Sequence, residues 1–180
     1  MTAIENLKGR RSIRKFTDQP VTKEDIEKIV EVARYAPSWK NTQTTRFTVI
    51  FDPEVKAKIA SEAVLNFEFN TKTINRAPAL VVVTTVNNRS GYERDGSFTT
   101  SKGTHWQSFD AGIATQSFCL AANEFGLGTV ILGIYDEETV RNIIGLDEKE
   151  SVSALVPIGY PAVAPEAPAR KEVADLLRTI

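Results

Sequence analysis

Apolar residues recur along this chain with two periods, helical and strand-like, in alternation. Thr22 stands three residues before Asp25, a spacing close to that of a capping box. Ile26, Ile29, Val30 and Ala33 then follow at i, i+3, i+4 and i+7, which predicts a helix with one apolar face, stopped by Pro37. Phe47, Val49 and Phe51 alternate with Arg46, Thr48 and Ile50 in a strand pattern. Asp52-Pro53-Glu54 starts a second helix, with proline at its first position. Leu80-Val81-Val82-Val83 reads as a strand buried on both faces.

The most apolar helical stretch runs from Phe109 to Phe125, where Ile113, Ala114, Phe118, Cys119, Leu120, Ala121 and Ala122 cover most of the circumference. A helix apolar all round belongs in the middle of a core, and Gly126 caps it. Thr129–Leu132 predicts another strand. Asp136 caps a short helix through Val140, Ile143 and Ile144, ended by Gly145, and Val152–Ile158 is a last strand. Pro161, Pro165 and Pro168 then force an extended tail, after which Val173, Leu176, Leu177 and Ile180 restore an apolar helical stripe. An extended arm that crosses a surface and docks at its far end satisfies both features, and that surface can belong to a second subunit. Residues 87–104 are polar and glycine-broken; a loop of that length is either a substrate-facing lid or surface disorder.

Composition narrows the function. The 180 residues fit one domain, 1–180, with the arm over about 160–180. One cysteine excludes an intrachain disulfide and a multi-cysteine metal or iron–sulfur site, and one histidine excludes a His-rich site; no metal is expected. With 22 basic and 23 acidic residues there is no global attraction to nucleic acid or anionic membrane. The N-terminal segment lacks a signal-peptide apolar core, and no run of 18 uncharged apolar residues occurs. The expected location is the cytoplasm.

Four segments could carry chemistry. In Arg10-Arg11-Ser12-Ile13-Arg14-Lys15-Phe16, the period-two alternation of an extended chain points Arg10, Ser12 and Arg14 the same way. Two guanidinia and a hydroxyl suit a phosphate; a solvated basic terminus is the alternative, and no second basic cluster interleaved with aromatics supports nucleic acid. Ala36-Pro37-Ser38-Trp39-Lys40-Asn41-Thr42-Gln43 is a stiff loop rich in donors and acceptors, suited to a planar polar ligand or simply to stopping a helix. Gly126-Leu127-Gly128-Thr129 fails the dinucleotide fingerprint, since its glycines follow a helix and precede a strand. Arg170-Lys171 is either a solvated pair or the closing side of an anion site. Cys119 reads as a small buried hydrophobe, and His105 and Asp110 have no nucleophile elbow to serve.

Arg10 to Phe16, Ala36 to Gln43, Phe109-Asp110-Ala111-Gly112-Ile113-Ala114 leading to Gly126-Leu127-Gly128, and the closing Arg170-Lys171 together resemble the nitroreductase family of FMN flavoproteins, over about residues 5–173. The resemblance implies an α+β sandwich: a central, mostly antiparallel sheet flanked by helices, in an intertwined homodimer with FMN at the interface. It implies that the basic first motif, Arg10, Arg11, Ser12 and Arg14, binds the cofactor. Arg10 and Ser12 would serve phosphate and ribityl, and Arg14 the N1/O2 edge, stabilising the reduced form. Pro37, Ser38, Trp39, Asn41 and Gln43 would approach from the other subunit, Leu132 and Gly133 would lie near the ring, and Arg170 and Lys171 would return to the phosphate. No protein side chain is implied as the catalytic group, because the flavin carries the chemistry. The implied activity is transfer of electrons from NADH or NADPH, through flavin N5, to a nitroaromatic, a quinone or a similar small acceptor by a ping-pong mechanism. A relative reducing an enone, a halogenated aromatic or a flavin, or a flavin-binding module without turnover, are the alternatives. The chain departs from the family pattern at Ile134, where many members have a second glycine; it lacks the longer helical insertion of larger members; and Asn66 to Asn70 matches no motif.

Overall fold

The apolar run Ala79–Val83 of strand β2 (Ala79–Val86) is unbroken because both of its faces are covered. In the computed structural model, which describes residues 1–180, β2 pairs on one side with β1 (Thr45–Ile50) and on the other with β4 (Glu150–Gly159). The two-residue β3 (Gly128–Thr129) pairs with β4, giving the order β1-β2-β4-β3 with every neighbour antiparallel. Ala79, Val81 and Val83 enter one apolar cluster with Ile26, Ile29 and Phe118; Leu80 and Val82 enter a second with Ile59, Ile74 and Val140. Register slips once: Val83 faces Ala154 but Thr84 faces Val152. The skipped Ser153 is a bulge that keeps Val152 and Leu155, three residues apart, on the same face.

Helices cover both faces, as expected of the α+β sandwich. Against the first face lie α2 (Lys23–Ala33) and the long α5 (His105–Glu124). Thr22 caps α2 reciprocally: its hydroxyl accepts from Asp25 N (3.1 Å) while Asp25 accepts from Thr22 N (3.0 Å). On the second face lie α3 (Pro53–Lys58) with the π-helical turn that continues it, α4 (Glu68–Arg76) and α6 (Glu137–Ile144). Asp52 and Asp136 cap α3 and α6, and Gly145 ends α6 at φ 63°. No helix is long and apolar enough to cross a membrane.

The structure adds two helices to those the periodicity predicts. Helix α1 (Ala3–Gly9) opens with a Thr2/Glu5 capping box, and its buried Asn6 bonds to Leu120 O (3.0 Å) and Glu124 (3.1 Å) on α5. Helix α4 escapes apolar periodicity because its inward face is Asn70, Thr73 and Ile74. Helix α5 begins four residues before Phe109, since His105 to Ser108 add a polar turn. The strand expected over Thr129–Leu132 shrinks to β3 plus a single bridge from Leu132 to Leu155. Pro157, opposite this stretch, offers a carbonyl to Val130 N (3.3 Å) but has no N–H to return. The enclosure expected for α5 is also incomplete within one chain: Ala114, Phe118, Cys119 and Ala122 are buried, but Ile113 and Leu120 are half-buried and Phe109 is exposed.

Beyond Tyr160 the chain is extended and exposed. Its four-residue helix α7 (Val173–Leu176) leaves Val173 72%, Leu176 70% and Leu177 62% exposed, so the apolar stripe has no partner within the chain. The segment 87–104, by contrast, is ordered by its own bonds rather than disordered. Glu93 N donates to Ser97 O (2.8 Å), Thr99 N donates to Gly91 O (2.9 Å), and Tyr92 packs on Phe98 (4.9 Å between ring centres).

Candidate functional site: an arginine cleft and a strained loop

The first motif is held as an edge to the sheet. Ser12 forms a parallel bridge with Thr129, and Ile13 N donates to Thr129 O (2.9 Å). Ile13 points inward and is buried against Gly128, where a Cβ would lie 2.5 Å from the Ile13 side chain. Gly128 is therefore needed for close approach of this edge, whereas Gly126, at φ 80°, ends α5. With Ile13 turned in, Arg10, Ser12 and Arg14 line a cleft of about 320 Å³ together with Arg11. Its other wall is the C-terminal arm, through Pro165, Glu166, Pro168 and Arg170.

Apart from Pro165 and Pro168, every residue lining this cleft is charged or polar; four arginines face one glutamate. Their roles differ. Arg11 donates to Lys8 O (2.7 Å) and Arg10 O (2.9 Å), which satisfies the carbonyls at the end of α1. Arg14 touches only Ser12 O (3.3 Å), and Arg170 only carbonyls of its own turn, Pro168 O (2.8 Å) and Ala169 O (3.3 Å). Lys171 lies outside the cleft lining and is exposed. The charge and donor set match a phosphate monoester: planar forks and a hydroxyl, drawn from both ends of the chain.

Three residues along the edge from Thr129, about 10 Å of extended chain, stand Leu132 and Gly133. Leu132 is buried and exchanges backbone bonds with Leu155 (2.8 and 3.2 Å). A Cβ on the exposed Gly133 would meet nothing within 4 Å, so open space lies above this backbone. The segment is pinned from two sides. Asn70 donates to Ile134 O (3.1 Å), and the Tyr135 hydroxyl donates to Val152 O (2.9 Å). Burial, with the nearby Glu137 adding to it, pushes the Tyr135 hydroxyl up to about 12, so it stays protonated at any ordinary pH. Asn70 is the site residue that sequence reasoning missed: the polar inward face that hid α4 also hid the anchor it carries.

The second motif forms a turn of unusual backbone. Lys40, Asn41 and Gln43 have φ of 44°, 54° and 49°. Left-handed conformations cost non-glycine residues roughly 1–2 kcal/mol each, and such strain gathers at functional positions. Ser38 compensates by accepting from Gln43 N (2.9 Å), and Asp110 by accepting from Trp39 N (2.9 Å). Pro37, Ser38 and Gln43 line a second cleft of about 270 Å³, with Arg46, Phe47, Asp110 and others. Trp39 packs on Trp106 with the rings tilted by 50° (4.6 Å between centres), and the exposed side-chain amides of Asn41 and Gln43 have no hydrogen-bond partner in the chain. The arginine cleft and this one share no lining residue. Cys119 is buried on α5, and burial pushes its thiol up, away from nucleophilic thiolate character.

Comparison with known proteins agrees with this architecture. A relative in Archaeoglobus fulgidus is 37% identical over 162 residues, spanning 88% of this chain and 84% of that protein. The FMN reductase (NAD(P)H) of Bacillus subtilis is 32% identical over 88% of this chain and 66% of its own length. The crystal structure of a nitroreductase family protein from Clostridium novyi superimposes with a TM-score of 0.77 at 27% identity, covering 89% of this chain and 87% of that one. The model of the Nitroreductase family matches residues 7–160, from the end of α1 through the arginine motif and all four strands to the start of the arm, and the chain belongs to that family.

Proposed function

We propose that this protein is an FMN-dependent oxidoreductase, working as a homodimer, that takes electrons from NADH or NADPH and delivers them at one open site to a small acceptor such as a nitroaromatic or a quinone. The observation that carries this reading is the arginine cleft. A site built from residues 10–14 and 165–170, with four arginines and a serine hydroxyl against a single glutamate, suits a phosphate. The open backbone at Gly133 on the same sheet edge leaves room for a planar ring beside it. The name of the Bacillus relative, an FMN reductase, points to the same cofactor.

Arg10, Ser12 and Arg170 hold the phosphate end in this reading. Arg14, free of acidic partners, places positive charge where electron density gathers on reduction. Bound FMN supplies two-electron redox chemistry, which explains why the chain needs no histidine or cysteine nucleophile. Pro37, Ser38, Trp39, Asn41 and Gln43 serve the flavin of the partner subunit. The two clefts have no lining residue in common, which suits a ligand held by one cleft of each subunit. The incompletely covered α5 and the bare stripe on α7 are the surfaces such a dimer buries.

Anaerobic stopped-flow mixing tests the activity. NADH or NADPH is expected to bleach the bound flavin, and an added nitroaromatic or quinone to restore its colour. A flavin that neither nucleotide reduces would reduce the protein to a binding module. Cys119→Ala is expected to leave nucleotide oxidation unchanged at a modest stability cost; a folded, FMN-loaded variant without turnover would overturn the assignment of Cys119 as core.

A further inference from the structure

Asp110, in the second turn of α5, is only 3% exposed and forms no ion pair with any Lys or Arg. A buried carboxylate in that position must be held by hydrogen-bond donors. Both donors come from outside its helix and reach the same oxygen, Oδ2: Trp39 N at 2.9 Å and the Ser90 hydroxyl at 2.7 Å. Trp39 belongs to the strained 37–43 loop, and the fully buried Ser90 to the 87–104 segment. The two loops are joined again at their rims. Lys40 pairs with Glu93 (3.2 Å), and Trp39 packs on Trp106, whose indole N–H donates to Thr100 Oγ1 (3.1 Å).

The gripped loop has bonds of its own, Gln43 N to Ser38 Oγ (2.9 Å) and Thr42 N to Trp39 O (2.8 Å), but they do not satisfy all of it. Besides its three left-handed residues, Trp39 Nε1, Thr42 Oγ1 and Thr44 Oγ1 are buried without hydrogen-bond partners. Asp110 adds a clamp from outside the loop, at the point where both loops meet. We propose that Asp110 is a positioning residue: through Trp39 N–H and Ser90 it locks the 37–43 loop in the conformation that offers Asn41 and Gln43 to the flavin of the partner subunit. The 87–104 segment is then the outer jaw of that clamp rather than a lid. The inference rests on the reading above that this loop serves the partner subunit's flavin.

Asp110→Leu keeps the size and removes the acceptor. FMN affinity is expected to fall about ten- to hundredfold, with a shifted visible spectrum in whatever flavin remains bound. Asp110→Asn, whose amide oxygen can accept from both donors, is expected to restore affinity and spectrum. Mixed dimers separate positioning from general damage. When one chain carries Asp110→Leu and the other Arg10→Ala, one site has both an intact cleft and an intact loop, and half the sites regain wild-type affinity. The same pairing with Asn41→Ala/Gln43→Ala in place of Asp110→Leu checks the underlying reading. Recovery there without recovery for Asp110→Leu overturns the role of Asp110 alone; recovery in neither overturns the shared site itself. Should Asp110→Leu fail to fold, Ser90→Ala asks the same question, and an unchanged FMN affinity in that variant overturns the proposal.

Discussion

Removal of residues 165–180 is expected to weaken dimerisation and FMN retention together. The arm supplies one wall of the arginine cleft, including Arg170, and then carries Val173, Leu176 and Leu177 into solvent. Fully burying a large apolar side chain is worth about 1.5–3 kcal/mol. Three such residues docked on a partner are a large share of what holds a dimer, and three left bare are a standing cost to the single chain. If Arg170 holds the phosphate as proposed, its loss also removes a charge-assisted bond of about 1.5–3 kcal/mol, roughly ten- to a hundredfold in FMN affinity. Sedimentation of the truncated protein, with flavin content read on the same sample, checks both effects. A truncated chain that stays dimeric and fully loaded removes Arg170 from the site and the arm from the interface.

Arg14→Ala is expected to make the bound flavin harder to reduce. Arg14 makes one bond within the chain, to Ser12 O, so its charge is free for a ligand. Taking away a cation that favours the reduced, more electron-rich state lowers the midpoint potential. If that interaction has the strength of one charged hydrogen bond, the drop is about 30–65 mV for a two-electron couple. Reductive titration against a reference dye measures it, and FMN affinity is expected to weaken alongside. A variant with unchanged potential and unchanged affinity places Arg14 outside the site.

Much of this was legible in the sequence because the relevant physics is local. The caps at Thr22, Asp52 and Asp136 are side-chain-to-backbone bonds spanning two or three residues, and all three form. The two-sided burial of β2 is written in its unbroken valines. Arg10, Ser12 and Arg14 share one cleft while Ile13 is drawn into the core, although Arg11 lines that cleft as well and so departs from a strict alternation. What the sequence hid depends on distant partners. Helix α4 turns polar residues inward, and the donor of one of them, Asn70, finds its acceptor 64 residues away at Ile134 O. Gly128 reads as a turn residue until Ile13 is seen packed against it. Asp110 looks like an idle neighbour of His105 until folding brings Trp39 and Ser90 to the same oxygen, across 71 and 20 residues. Helix α5 reads as fully enclosed because its apolar circumference does not say how much of it the rest of the chain covers, and Phe109 stays exposed.

The central claim is that the arginine cleft and the 37–43 loop hold FMN, and the cofactor itself tests it most directly. Purified protein is denatured, its released flavin is identified by chromatography against FMN and FAD, and the amount is compared with protein concentration; apoprotein is then titrated with FMN. FMN at about one per chain, rebound by the apoprotein as a dimer, is the expected result. FAD in place of FMN, or an apoprotein that binds no flavin, would contradict it.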